Sequence, residues 1–212
     1  MIYAIVGSYG NFHCGSIRGN GKTISAVYYM YKDFLNGRNI YTNFYTSFSQ
    51  MVTINQLLNI FENKRLRNSS VGITEAQVYF HHHMTKEEKE KLFRRFISQS
   101  RKQDNDIFLD TQIFRKLNDE LRDHVDKILI PEKIHLDGSP CHIDNCKEKH
   151  IINVYDIEDL TVPITSFNSW IVGQLYDTNE ITLDSFESEK PSKLNLTKKQ
   201  LEAILKEVSK ND

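Results

Sequence analysis

The opening of the chain constrains its fold more than any other segment. "IYAIV", residues 2–6, is a short apolar run with β-branched and aromatic members, the pattern of a buried parallel strand. A loop bearing Gly7, Gly10, Gly15, Gly19 and Gly21 follows. After it, "ISAVYYMYKDFLNG" spaces apolar residues at helical intervals and stops at Gly37, a suitable residue just past a helix C-terminus. Strand, loop and helix in that order are the first parts of a βα unit, which commits the chain to an α/β fold.

The end of this loop, "GNGKT", has the make-up of a phosphate cradle. Gly19, Asn20 and Gly21 let backbone N–H groups approach an anion, and the following helix N-terminus adds positive potential. Lys22 can bridge the β- and γ-phosphates of a nucleotide, and the Thr23 hydroxyl can ligate Mg²⁺. The start of the loop is irregular. The motif asks for a glycine five positions before Gly21, where this chain has Ser16. Gly7 precedes Gly21 by fourteen residues, so Ser8–Ile17 holds roughly nine extra residues. They read as a flap over the nucleotide, with Arg18 beside the phosphates; the alternative is a glycine turn carrying an exposed lysine.

Strand and helix patterns continue to alternate after Gly37. "RNIYTNFYT" reads as a strand, "VTINQLLNIFEN" as a helix with a Thr or Asn cap, and "SSVGITEAQVYF" as a strand ending near Thr74. "TKEEKEKLFRRFISQSRKQ" is helical, with Thr85 and Glu88 in capping-box spacing. A strand "DIFLDTQ", a helix "FRKLNDELRDHV" and a strand "DKILIPEKIHL" complete the series. The expected fold is α/β and P-loop NTPase-like: a mostly parallel sheet with helices on both faces, plus a C-terminal β-hairpin and a terminal helix. Residues 1–180 form the expected ATPase domain, with the hairpin at 135–157, and 181–212 a linker and helix. Thr197 and Gln200 have capping-box spacing in that last helix, whose charged surface suits a peripheral cover or a partner-binding tail.

A phosphate-loop enzyme needs acid at the end of a neighbouring strand, to hold the Mg²⁺ shell and orient attacking water. "GITEAQ" supplies Glu75 there, the candidate water-polarising base. The residue before it is Thr74 in place of the usual aspartate; its hydroxyl can hold a metal-bound water but brings no negative charge. Weakened Mg²⁺ binding, or direct service of the metal by Glu75, follows from that reading. Gln112 ends "DIFLDTQ" at the edge where ligands gather in open α/β sheets, suited to sensing a γ-phosphate.

Taken together, "MIYAIVG…GNGKT", "IYTNFYT", "GITEAQVYF", "SQSRKQDNDIFLDTQ", "LRDHVDKIL" and "YDTNEI" resemble the zonula occludens toxin-like ATPases of filamentous phages. The set is also similar to the viral genome-packaging ATPases of the FtsK/HerA superfamily, and the resemblance spans most of residues 1–180. It implies an ATP-driven homo-oligomeric motor, ring-forming and hexameric, that moves double-stranded DNA into a capsid or through a membrane-associated pore. ATP and Mg²⁺ are the implied cofactors, and a capsid or membrane protein the implied partner. The matching positions are Lys22 and Thr23 in the phosphate loop, Glu75 as catalytic acid and Gln112 as sensor; the residue reading adds Arg18, Gly19, Asn20 and Gly21 at the nucleotide and Thr23 and Thr74 at Mg²⁺. Arg101 and Arg122 fall where related sequences have arginines, and either is a candidate arginine finger or a solvated helix residue. The enlarged loop and Thr74 depart from the pattern inside the nucleotide site, so a nucleotide-binding assembly or scaffold protein with weak or no hydrolysis is the alternative. A small-molecule kinase ranks last.

Composition narrows the remaining choices. A net charge of −1 gives no global positive field, so a DNA contact must come from a local patch or a ring of subunits. No run approaches the ~20 apolar residues of a transmembrane helix, and the N-terminus lacks a signal-peptide pattern. A cytoplasmic protein is expected, in the host if viral, able to associate with a virion or membrane. Three cysteines are too few for a secreted disulfide framework. "HLDGSPCHIDNCKEKH" offers Cys141, Cys146 and His150 for Zn²⁺, with His135 or His142 as fourth ligand; a Cys141–Cys146 disulfide or free thiols are the alternatives. His81–His83 reads as a solvated loop, and "KEEKEKLFRRF" as a solvated helix over the sheet.

Overall fold

The structure is a computed structural model that describes residues 1–9, 12–13, 19–62, 66–81, 83, 85, 87, 97, 103–143, 146–176 and 196–209. Nine strands build one sheet: β1 (Ile2–Tyr9), β2 (Phe12–His13), β3 (Asn39–Thr42), β4 (Gln50–Met51), β5 (Ser69–Ile73), β6 (Asn105–Ile113), β7 (Lys127–His135), β8 (His150–Asp156) and β9 (Thr165–Asn168). Among the described residues the α-helices are α1 (Lys22–Leu35), α2 (Ile54–Glu62), α3 (Ala76–Tyr79), α4 (Asp119–Arg122), α5 (Ser169–Val172) and α6 (Lys198–Val208). Strand order is β4-β3-β5-β6-β1-β7-β8-β9, with β2 pairing off this path on β1.

From β4 to β7 every neighbouring pair is parallel, whereas β8 and β9 add antiparallel strands at one side. The P-loop NTPase-like α/β fold expected from the alternation is therefore present. Strand β6 lies between β1 and β5, and its register sets Asp110 opposite Ile5 and Leu109 opposite Ile73. The residues after β5 and those near the end of β6 consequently meet beside the loop that follows β1.

Both faces of the sheet are covered. Ile2, Ala4 and Val6 of β1 pack with α2, Phe80, Leu117 and Leu121, while Ile5 packs with α1 and with Val172, Ile204 and Val208 on the opposite face. That split is the two-residue period of a strand buried on both sides. Helix α6 has the expected capping box: Thr197 N–H donates to Gln200 Oε1 at 2.8 Å, and Gln200 N–H donates to Thr197 Oγ1 at 3.4 Å. The buried Glu207 accepts hydrogen bonds from Asn168 N–H and Nδ2, which ties this helix to the end of β9.

Two elements differ from expectation. Strand β1 continues to Tyr9 and pairs antiparallel with β2, so the enlarged loop begins as an extension of the strand. The helix expected over "FRKLNDELRDHV" is instead a 3-10 turn at Phe114–Lys116 followed by α4. Leu117 and Asn118 between them are extended, and the Asn118 side chain accepts from Glu120 N–H at 3.0 Å. Asparagine competes for the backbone donor here and restarts the helix. Most of the expected helix at 85–103 lies outside the described residues. No helix among the described residues is long and apolar enough to cross a membrane.

Phe167 of β9 is 1% exposed, and its ring stacks on Tyr28 of α1 at 4.4 Å, clamping the antiparallel strands to the first helix. Phe167→Ala should lower unfolding stability by about 3–5 kcal/mol, read from urea denaturation at constant m-value. A loss below about 1 kcal/mol would contradict this packing.

Candidate nucleotide site

Helix α1 begins without a side-chain cap. Gly21 takes a left-handed conformation (φ 98°, ψ 14°) at the N-cap position. A Cβ on Gly21 would be strained and would lie 2.8 Å from Ile152 Cδ1, so only glycine lets β8 press this close to the turn. Uncapped N–H groups at a helix start, with Asn20 and Lys22 buried beside them, make an anion-binding end. Lys22 Nζ donates to Asn20 Oδ1 at 3.3 Å, which holds the ammonium over the turn.

At the centre is a residue that the motif reading passed over. Asp110, in the middle of "FLDTQ", is 3% exposed and accepts hydrogen bonds at Oδ2 from Thr23 Oγ1 at 2.5 Å and Thr74 Oγ1 at 3.1 Å. Its Oδ1 is buried without a hydrogen-bond partner, as is Nδ2 of Asn20. Asn43, after β3, fixes Thr74 from behind: its Oδ1 accepts from Thr74 N–H at 2.9 Å and its Nδ2 donates to Thr74 O at 3.3 Å. Thr74 lacks the charge usual at its position, but it donates to a carboxylate supplied by the adjoining strand.

Glu75 follows Thr74 in a left-handed conformation (φ 51°, ψ 40°), a strained geometry for a residue with a side chain. Gln112 Nε2 donates to Glu75 Oε1 at 3.0 Å, and Gln77 Nε2 donates to Glu75 Oε2. Asp110 thus joins Thr23 at the start of α1 to Thr74 just after β5, while Glu75, next to Thr74, pairs with Gln112 near the end of β6. Arg122 pairs with Asp119 on its own helix at 3.5 Å and makes no hydrogen bond or ion pair to Glu75 or Gln112. Arg18 and Arg101 lie outside the described residues, as does most of the inserted flap. His81 and His83 are exposed, and His82 is outside the described set.

The hydrophobic run around Asp110 disguised it: in "DIFLDTQ" it reads as a polar interruption of a core strand. Its available signal was spacing, because it lies two residues before Gln112 on the same face of β6. Asn43 carried no comparable signal, since its role depends on β3 pairing with β5.

Burial pushes the Asp110 carboxyl above the ordinary aspartate range, and the negative Glu75 adds to the rise; Lys22, Thr23 and Thr74 oppose it. For a carboxyl whose folded pKa exceeds its unfolded value, the folded state holds more protons between the two. Stability contributed below the unfolded pKa is then lost as pH rises through the folded value. Without nucleotide or metal, Asp110→Asn should therefore melt at higher temperature than the parent chain near neutral pH. The difference should shrink as pH falls towards the unfolded pKa of about 3.9. Thermal melts across that pH range check this, and a variant that melts lower at every pH contradicts it.

No family model matches the chain, and no curated protein matches it. Among solved structures it is similar to the N-terminal domain of zonular occludens toxin from Neisseria meningitidis, with a TM-score of 0.53 and 19% identity over 83% of this chain and 98% of that one. The genome packaging NTPase B204 from Sulfolobus turreted icosahedral virus 2 also matches. Its sulfate complex gives a TM-score of 0.45 and 14% identity over 74% of this chain and 90% of that one. The corresponding ATP-gammaS complex gives 0.42 and 14%, with 74% and 92% covered. At such identity the likeness is one of fold, and the chain has the fold of the zonular occludens toxin N-terminal domain.

Proposed function

We propose that the protein is a P-loop ATPase of the DNA-translocating, genome-packaging kind. The observation that carries this reading is the buried Asp110 joined to Thr23 and Thr74, with Glu75 and Gln112 paired beside it. A carboxylate with one oxygen unpartnered, next to the hydroxyl that follows the loop lysine, fits a divalent cation. Thr23 and Asp110 would hold Mg²⁺, with the Thr74 hydroxyl orienting Asp110. When bound, the ion would supply positive charge that offsets the charge of the nucleotide phosphates.

The remaining chemistry belongs to the chain's own groups. The uncapped α1 N-terminus, Asn20 and Lys22 cradle the phosphates of ATP. Glu75 accepts a proton from the attacking water, and Gln112 holds Glu75 and the water in line without adding charge. The carboxylate of Asp110 favours turnover over the assembly or scaffold alternative, because the site does not lack its negative metal partner. An arginine from a neighbouring subunit, Arg101 or Arg122, would stabilise transition-state charge in a ring. Residues 1–180 would form the motor, with DNA and a capsid or membrane protein as partners in a host or virion setting.

The test is phosphate release from Mg²⁺-ATP, with and without double-stranded DNA. Glu75→Gln should slow turnover by about 10² to 10⁴. Asp110→Asn should raise the Mg²⁺ needed for half-maximal rate by about 10–100-fold. Combining it with Thr74→Asp, which returns the carboxylate to the end of β5, should recover part of that loss. Turnover that survives loss of both Lys22 and Glu75 would falsify the ATPase reading, and hydrolysis indifferent to DNA would remove the translocase part.

A further inference from the structure

The connection between β7 and β8 gathers four ligand-type side chains that the nucleotide site does not use. His135 and His150 are direct cross-strand partners in the β7–β8 ladder, with ring centroids 4.8 Å apart. A tight turn at Gly138, where φ is +87°, folds the chain back along β7. His135 N–H then donates to Ser139 O, and Cys141 N–H to Lys133 O, both at 2.8 Å, which brings Cys141 beside the two rings. Cys146 precedes β8 and completes the set. One ligand atom from each of His135, Cys141, Cys146 and His150 lies within 4.8 Å of every other.

Those distances are close to metal coordination. Tetrahedral zinc with Zn–S near 2.3 Å and Zn–N near 2.0 Å sets its ligand atoms about 3.3–3.8 Å apart. Small side-chain rotations close the remaining gap. The surroundings differ from those of solvated polar residues, since Cys141 is 5% and His150 3% exposed. Nε2 of His150 is buried with no hydrogen-bond partner. Nδ1 of His135 has no partner in hydrogen-bonding geometry either, although Glu148 Oε2 lies 2.9 Å away. Both thiols are free, and two thiolates would cancel the charge of a divalent ion. His142 is exposed and stands outside the cluster.

We propose that His135, Cys141, Cys146 and His150 bind one Zn²⁺ as a structural site. Four protein ligands fill the tetrahedron and leave no position for substrate. The ion joins the end of β7, the turn after it and the start of β8. His150, Ile152 and Val154 are the buried alternate residues of β8 and share one face. Ile152 is the side chain that Gly21 admits against the phosphate turn, and His150 stands two residues along the same strand. The metal therefore braces the wall of that turn. The ligand geometry stands by itself, whatever reaction the nucleotide site performs.

The full chain, produced in cells and purified reduced without chelator, should carry about one zinc per chain by elemental analysis. Replacement by Co²⁺ should give the visible absorption of tetrahedral cobalt with thiolate ligands. Cys146→Ser should lose that spectrum and at least half of the bound zinc, whereas His142→Ala should keep both. Should the cysteine variant not fold, titrating the parent chain with a thiol-blocking mercurial should release its zinc in step with modification of two thiols. A reduced parent chain with no zinc and no cobalt–thiolate absorption overturns the site, as does full metal content in Cys146→Ser. None of these readouts involves nucleotide, so they fail or succeed independently of the ATPase reading.

Discussion

A carboxylate buried in the middle of a parallel sheet must be held by donors or neutralised, because desolvation of an isolated charge costs several kcal/mol. Asp110 meets that demand by accepting from two threonine hydroxyls, one on α1 and one just after β5. The same two bonds lock the phosphate turn to the strand that leads into Glu75. The arrangement of the candidate nucleotide site depends on this one group, whose other oxygen is buried without a hydrogen-bond partner.

A carboxylate on β6 can reach the residue after β5 because neighbouring strands are only about 4.8 Å apart. With Thr74 donating to Asp110, the hydroxyl and the carboxylate occupy the space that one aspartate would otherwise serve. Glu75 remains separate from this pair. Its left-handed backbone turns it away from the strand direction, and the amides of Gln77 and Gln112 hold its two oxygens. The two carboxylates are thereby kept as two groups with distinct partners.

The antiparallel side of the sheet contributes to the same region from the other direction. Ile152 on β8 packs where Gly21 has no side chain, and Phe167 on β9 stacks on Tyr28 of α1. Helix α6 is fastened to the end of β9 through Glu207 and Asn168. The segments that break the βα alternation thus form a wall and a brace for the first helix, rather than a separate appendage.

Much of this was readable from order and spacing. The strand–glycine–helix opening, the alternation that follows it, the capping box at Thr197 and the polar ends Glu75 and Gln112 depend on local preferences and short periodicities. Such signals survive in one dimension. The pairing of Thr23 and Thr74 through Asp110, the grip of Asn43 on Thr74, and the choice of His135 over His142 beside the cysteines join residues from different elements. Local preference also misled at Asn118, where a capping side chain divides what reads as one helix. The sequence by itself determined an α/β chain with a phosphate-type turn and an acid on a later strand. Only the tertiary structure decided where the missing negative charge resides, because strand order and register, not chain position, bring β6 between β1 and β5.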